Sequence, residues 1–221
     1  MNTDEKHRTT AMCLKEARLY AILDRELVAP ENAGEVCHAL LEGGADLVQL
    51  RAKQLTRQQR KEQLEELYPL FEHFPWRLIV NDDVELAAAY PGVGAHVGQQ
   101  DTSVTRAREM LGGGRILGLS THDAEEVRAA VRQQHLLDYF AIGPMFPTDV
   151  KSQYQVAGLS LIKHARAEKP RIPVFCIGGI TRENIPSILS SGGTRVAVIS
   201  DILKSHSVSK ATREIAQLLA D

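Results

Sequence analysis

Apolar runs of four to six residues alternate along this chain with longer stretches in which apolar positions recur every three or four residues. The short runs lie at 19–23, 46–50, 77–81, 94–98, 115–118, 138–142, 172–177 and 195–198. Runs this short and this apolar predict strands buried on both faces. The amphipathic stretches predict helices at about 32–43, 56–73, 83–89, 103–111, 122–134, 158–168, 181–190 and 207–219. Strict strand–helix alternation implies parallel pairing through right-handed crossovers. Eight such units close into a barrel, so the expected fold class is α/β, a single (β/α)8 TIM barrel. An open doubly wound sheet is the rival. It would use fewer strands over this length, and no G-x-G-x-x-G follows the first run.

Local signals refine the boundaries. Thr181 is expected to cap a helix beginning at Arg182, with Asn184 at its third position. Thr121 or Asp123 would start the helix that carries Glu125 and Glu126 at its positive end. Asp83 reads as a helix cap, and Gly43-Gly44 and Gly112-Gly113-Gly114 as helix ends. The barrel domain is expected over 19–221, after an N-terminal extension of residues 1–18. Within that extension, Thr9–Arg18 is expected to form a short helix that plugs the bottom of the barrel.

Composition narrows the class. At 221 residues the chain suits one domain, and 43% hydrophobic with 24% charged residues is ordinary for a globular protein. A net charge of −2 gives no reason to expect nucleic acid or membrane as a partner, so any basic residues that matter must be local. Cys13, Cys37 and Cys176 are far apart and lack metal-ligand spacing. Their odd number, without a secretion signal in the polar first 18 residues, favours a reducing cytoplasm. No apolar run approaches the roughly 20 residues of a spanning helix. A homo-oligomer is left open.

Barrel active sites lie at the C-terminal ends of the strands, so the residues after each run carry the candidate chemistry. The second run ends in Gln49-Leu50-Arg51-Ala52-Lys53, where alternation puts Gln49, Arg51 and Lys53 on one side. Two cations and an amide suit a diphosphate. The third run exits into Asn81-Asp82-Asp83, and the fourth leads through Gly98-Gln99-Gln100 to Asp101. Each is unremarkable alone, as a surface charge or a cap. Together, carboxylates at neighbouring exits can converge on one hard cation, Mg²⁺ or Mn²⁺ rather than zinc. After the fifth run, Ser120 can bond a phosphate or a ring substituent. His122 is a candidate base, although a His just inside a helix start is more often a surface or capping residue. The sixth run leads into Gly143-Pro144-Met145-Phe146-Pro147-Thr148-Asp149-Val150-Lys151, a loop stiffened by proline in which Lys151 can neutralise a leaving phosphate. The last two runs exit through Gly178-Gly179-Ile180-Thr181 and Ile199-Ser200-Asp201, each opening a helix, a pairing that holds phosphate in many barrels. Two anionic subsites follow, one for a diphosphate and a metal, one for a monophosphate. His96 and His122 lack an evident Ser or Cys partner in the sequence, which favours transfer steered by electrostatics over covalent catalysis.

In this order the segments VQLRAK, VNDDVELA, AHVGQQD, LGLSTH, GPMFPTDVK and CIGGIT resemble the thiamine-phosphate synthase family over about residues 19–203. The resemblance implies a transferase of thiamine biosynthesis on a (β/α)8 barrel. It would join a hydroxymethylpyrimidine diphosphate to a thiazole phosphate and release diphosphate. It implies that Gln49, Leu50, Arg51, Ala52, Lys53, Asn81, Ser120 and Lys151 hold the pyrimidine diphosphate, and that Asp82 and Asp101 bind Mg²⁺. Thr148, Asp149, Val150, Gly179, Ile199 and Ser200 would hold the thiazole phosphate. Arg51, Lys53, Lys151 and Ser120 would carry the catalytic load, steadying a diphosphate that departs before the thiazole nitrogen attacks. The family loop usually reads Thr-x-Thr-Lys, and Val150 here lacks the second hydroxyl. The rival readings are a thiazole tautomerase of the same barrel family, with His122 as base, and a non-catalytic phosphate-ligand sensor.

Overall fold

Eight parallel strands close into a barrel in the order β1 to β8, with β8 returning to pair with β1. The structure is a computed structural model that describes residues 13–148 and 155–220. The strands are β1 (Leu19–Asp24), β2 (Leu47–Arg51), β3 (Leu78–Asn81), β4 (Gly94–Val97), β5 (Leu117–Thr121), β6 (Tyr139–Ile142), β7 (Val174–Ile177) and β8 (Val196–Val198). The helices are α1 (Ala33–Glu42), α2 (Arg57–Leu67), α3 (Val84–Ala88), α4 (Val104–Leu111), α5 (Ala124–Arg132), α6 (Ser160–Ala167), α7 (Ile185–Ser190), α8 (Ser200–Leu203) and α9 (Val208–Ala220). The (β/α)8 barrel expected from the apolar pattern is the fold observed.

Alternation along each strand divides the apolar residues into two layers. Outward-facing Ala21, Leu23, Val48, Leu50, Val80, Val97 and Phe140 pack on helix residues such as Cys37, Leu40, Leu64, Ala107 and Val127. Inward-facing Tyr20, Ile22, Leu47, Ile79, Tyr139, Phe175 and Ala197 fill the barrel itself. Leu14 and Ala17 join this inner layer from ahead of β1. They enter at the N-terminal ends of the strands, where Arg195 Nε donates to the Ala17 carbonyl at 3.1 Å. The described part of the expected plug therefore seals the barrel bottom, with residues 13–16 helical. Residues 9–12 of that expectation lie outside the described residues. The two deepest thiols, Cys37 and Cys176, are pushed up to about 12 by burial.

Four boundaries differ from the sequence reading. The helix expected over 56–73 ends at Leu67 and continues as a tighter turn over Tyr68–Phe71, because Pro69 has no N–H to carry the helical ladder. Its start is fixed by a capping box, with Thr56 and Gln59 bonding each other's backbone N–H. β5 starts two residues later and ends three residues later than expected. Ser120 and Thr121 stay in the strand because their hydroxyls find lateral partners, Thr121 Oγ1 donating to the Ala141 carbonyl at 2.9 Å. α7 begins at Ile185 and not at Arg182, and Thr181 is not its cap. Asn184 instead ties a turn, its Oδ1 accepting from Thr181 N–H at 2.9 Å and its Nδ2 donating to the Gly179 carbonyl at 2.8 Å. Finally, α8 is a single turn of helix between β8 and α9 that the pattern did not separate. The expected caps Asp83 and Asp123 are seen on α3 and α5, and Thr121 is excluded as the start of α5.

Gly118 lets the inner layer close. A Cβ there would lie 2.1 Å from Cζ of Tyr139 on the neighbouring strand. Gly118→Ala should therefore destabilise the fold by roughly 1–3 kcal/mol, the usual cost of overpacking. Equilibrium urea unfolding measures this. An unchanged midpoint would mean that the Tyr139 ring can move aside.

Candidate active site

The exits of β1 and β2 place a buried ion pair. Register sets Asp24 beside Arg51, and their side chains are 1% and 6% exposed. Arg51 Nη1 donates to the Asp24 carboxylate, with Glu26 at 3.5 Å as a weaker second partner. Arg51 Nε is buried without a hydrogen-bond partner. Gln49 shares the inward face, and Leu50 packs outward in the helix-facing layer, so only its backbone can face a ligand.

A groove of about 680 Å³ opens past the exits of β2 and β3, bordered by Ala52, Lys53, Asn81, Asp82, Thr102 and Arg106, among others. Lys53 Nζ lies 3.6 Å from Asp82 Oδ2. Asp82 holds a positive φ of 64°, uncommon for a residue with a side chain, and its N–H donates to the His96 carbonyl at 2.8 Å. Asp83 also borders the groove, but its carboxylate caps α3 and pairs with Arg60. Asp101 sits next to Thr102, its Oδ2 accepting from Gly98 N–H at 2.7 Å.

A second cavity of about 220 Å³ lies on the far side of the mouth, lined by Ser120, Thr148, Gly179, Ile199, Ser200 and Lys204, together with His122 and Thr181. Gly179 has a φ of +64°, and a Cβ there would lie 2.4 Å from the Pro147 carbonyl oxygen, so the β6 and β7 loops close only over glycine. Asp201 also borders this cavity, but Arg182 Nε holds its carboxylate at 2.9 Å. The acid's charge is thereby offset beside a site suited to an anion. His122 Nδ1 lies 2.9 Å from Glu126 Oε2.

A chain of polar side chains crosses the barrel interior and ends at Ser120 on the second cavity. Gln49 Nε2 donates to Tyr20 Oη at 2.6 Å, and Tyr20 Oη lies 2.8 Å from Tyr139 Oη. Tyr139 Oη is 2.9 Å from His96 Nδ1, and His96 Nε2 is 2.8 Å from Ser120 Oγ. His96 thus does have a serine partner, a correction to the sequence reading that β4 and β5 registry makes possible. Burial raises the pKa of both phenols, so they remain neutral donors.

The structure thus places Lys53, Asn81 and Asp82 on the groove and Ser120, Thr148, Gly179, Ile199 and Ser200 on the second cavity, with Gln49 and Arg51 buried on the inner face of β2. Asp149, Val150 and Lys151 lie outside the described residues. Sequence reasoning missed Asp24, Tyr20, Tyr139 and Lys204. Asp24 was legible as the polar end of an apolar run, and Lys204 as the residue one helical turn beyond Ser200.

A closed parallel barrel with polar cavities at its strand exits places the chain in the class of (β/α)8 barrels, whose sites lie at that end. A family model described as thiamine monophosphate synthase matches residues 19–202, and the chain belongs to that family. The function expected from the sequence is the one its relatives carry. A thiamine-phosphate synthase of Nitrosococcus oceani is 36% identical over 90% of this chain and 91% of its own length. One from Bacillus mycoides is 38% identical over 83% of this chain and 84% of its own. One from Synechococcus sp. CC9605 is 40% identical, but this chain spans only 51% of that longer relative. Among solved structures, the thiamine phosphate pyrophosphorylase of Pyrococcus furiosus superposes with a TM-score of 0.81 at 33% identity, covering 95% of this chain and 98% of that one. No helix among the described residues is long and apolar enough to cross a membrane.

The Asp24–Arg51 pair can be tested directly. Asp24→Ala strands a buried guanidinium, and with Glu26 still nearby the loss should be roughly 3 kcal/mol, the low end for a broken buried pair. Chemical denaturation measures it. A loss below about 1 kcal/mol would mean that Glu26 takes over the pairing, as surface pairs of that size do.

Proposed function

We propose that this chain couples a pyrimidine diphosphate to a thiazole phosphate, giving thiamine phosphate and diphosphate. The observation that carries the reading is the unpartnered, buried Nε of Arg51 beside Lys53 at the β2 exit. A guanidinium already anchored by Asp24 keeps donors for an anion, and a buried donor without a partner costs about 1–3 kcal/mol until it finds one. Phosphate oxygens would satisfy it bidentately. Lys53 would add a mobile point charge, Asn81 an amide, and Ser120 a hydroxyl. Lys151 has the same role as Lys53 in this reading.

The donor set also fits a magnesium ion. No group of three or more His, Cys, Asp or Glu able to hold a metal occurs among the described residues. Mg²⁺ does not need one, since it keeps several waters and is commonly held by one or two carboxylates plus substrate phosphates. Asp82 and Asp101 would supply those carboxylates, and the bound ion would neutralise charge on the diphosphate. Arg51 and Lys53 would then hold the leaving group while the thiazole nitrogen takes the methylene carbon. The second cavity would bind the thiazole phosphate through backbone N–H groups near Gly179 and Ser200, with Thr148, Asp149 and Val150 along its loop and Lys204 supplying charge. Free Cys37 and Cys176 fit a reducing, cytoplasmic setting.

One observation favours a second reading. His122 lines the second cavity and is hydrogen-bonded to Glu126, a placement that suits a base for thiazole tautomerisation. An isomerase would need neither the Arg51–Lys53 cluster nor a metal.

The deciding assay mixes pure protein with both substrates, with and without Mg²⁺. Formation of thiamine phosphate only with the metal supports coupling. Isomerisation of a thiazole carboxylate phosphate without coupling supports the alternative. Asp82→Asn and Asp101→Asn should each raise the Mg²⁺ concentration needed for turnover, and unchanged metal dependence in both would remove them as ligands. Lys204→Ala should raise KM for thiazole phosphate by up to about tenfold, from one lost charge-assisted contact. KM for pyrimidine diphosphate should stay put. Equal shifts in both would place Lys204 outside the thiazole subsite.

A further inference from the structure

The interior chain from Gln49 to Ser120 has only one consistent direction. Tyr20 and Tyr139 are 1% and 0% exposed, so their hydroxyl hydrogens must go to protein partners. Tyr20 Oη accepts from the Gln49 amide, which cannot accept in return. Its own hydrogen therefore goes to Tyr139 Oη. Tyr139 must then donate to His96 Nδ1, its remaining partner. A neutral imidazole that accepts at Nδ1 carries its hydrogen on Nε2, so His96 donates to Ser120 Oγ. Ser120 receives a hydrogen bond and keeps its own hydrogen for the cavity it lines.

This order settles what a His–Ser contact of 2.8 Å means here. In a nucleophilic pair the imidazole accepts the serine proton. Here the imidazole has no lone pair facing Ser120. We propose that Tyr20, Tyr139 and His96 are positioning residues that hold Ser120 as a hydrogen-bond donor to the ligand and prevent its activation as a nucleophile. The other end of the chain is set by the same order. With one Nε2 hydrogen committed to Tyr20, Gln49 keeps its amide oxygen as an acceptor and its second N–H as a donor. The barrel interior would then recognise the pyrimidine half of the reaction by donor and acceptor sense at the Ser120 edge of the second cavity, leaving the thiazole phosphate to the Gly179 and Ser200 end. Packing supports a rigid chain. The His96 and Tyr139 rings stack at 5.5 Å, and Tyr20 and Phe175 meet Tyr139 edge-on at 5.6 and 5.5 Å.

The inference rests on the coupling function for its kinetic test, but one arm of the experiment is independent of activity. Ring-¹⁵N spectra of histidine-labelled wild type, with His96 assigned among the eight histidines by loss of its signal in His96→Gln, report the tautomer. An Nε2–H signature is expected. An Nδ1–H signature would reverse the chain and overturn the proposal, whatever the enzyme does. The second arm is Tyr139→Phe. It deletes the link while keeping the ring, and should mix the His96 tautomers. In that variant kcat/KM for pyrimidine diphosphate should fall about tenfold, the scale of one misdirected hydrogen bond, with KM for thiazole phosphate unchanged within about twofold. Equal losses for both substrates, or none, would make Tyr139 merely structural and sink the positioning role. If Tyr139→Phe is unstable, His96→Gln replaces it, since its amide can still accept from Tyr139 and donate to Ser120. Partial recovery relative to His96→Leu supports the chain, and equal damage in both refutes it. If the wild type makes no thiamine phosphate, the coupling reading fails and the tautomer still decides the chain.

Discussion

Side chains that point into a closed eight-stranded barrel have mainly one another for partners. Water is excluded from the interior below the mouth, so each polar group placed there must be matched across strands. In this protein the matching is arranged in levels. The lowest is apolar, with Leu14 and Ala17 closing the bottom under Tyr20, Leu47 and Phe175. Above it runs the chain of hydroxyl, imidazole and amide from Gln49 to Ser120. At the top sits the Asp24–Arg51 ion pair, where the first solvent begins. The site is the level at which interior partners run out.

That gradient explains how charge is distributed at the mouth. Arg51 is anchored from below by Asp24 and is therefore pre-oriented, with little side-chain freedom left to lose on binding. Lys53 and Asp82, 46% and 32% exposed at the side chain, are held only loosely to each other and can be rearranged by a ligand. A rigid guanidinium beside mobile charges suits a substrate whose charge must be gripped and then released. Across the mouth the chemistry is more muted. There the close approach of the Gly179 loop to Pro147 shapes a small cavity, and Arg182 offsets Asp201, the acidic group at its edge among the described residues.

Backbone strain falls at the same boundary. Asp82 takes a left-handed conformation at the point where β3 turns into α3. Both adjacent carboxylates border the groove, but Asp83 is held by the α3 cap and Arg60, while Asp82 faces Lys53. Left-handed backbone is uncommon for a residue with a side chain. Such conformations cost of order 1–3 kcal/mol and persist where surroundings over-determine them. Here the Asp82 N–H bond to the His96 carbonyl supplies part of that determination.

How much was legible in the sequence follows from which interactions are local. The apolar runs and their spacing determined the barrel, because a strand buried on both faces must be apolar at nearly every position. Caps such as Asp83 and Asp123 were readable because each bonds backbone within three residues. Polar residues at strand exits marked Arg51, Lys53, Asp82 and Ser120 as candidates for the same reason that exits are the only polar part of such strands. The beginning of α7 was misplaced because Asn184 chose a turn over a cap, a choice between local bonds of similar strength. The partnership of Asp24 with Arg51 and of His96 with Ser120 was not readable at all. Those pairs are 27 and 24 residues apart, and only strand register brings them together. Their direction and burial are properties of the closed barrel, since hydrogen-bond polarity inside it is decided by every member at once and is written in none of them singly.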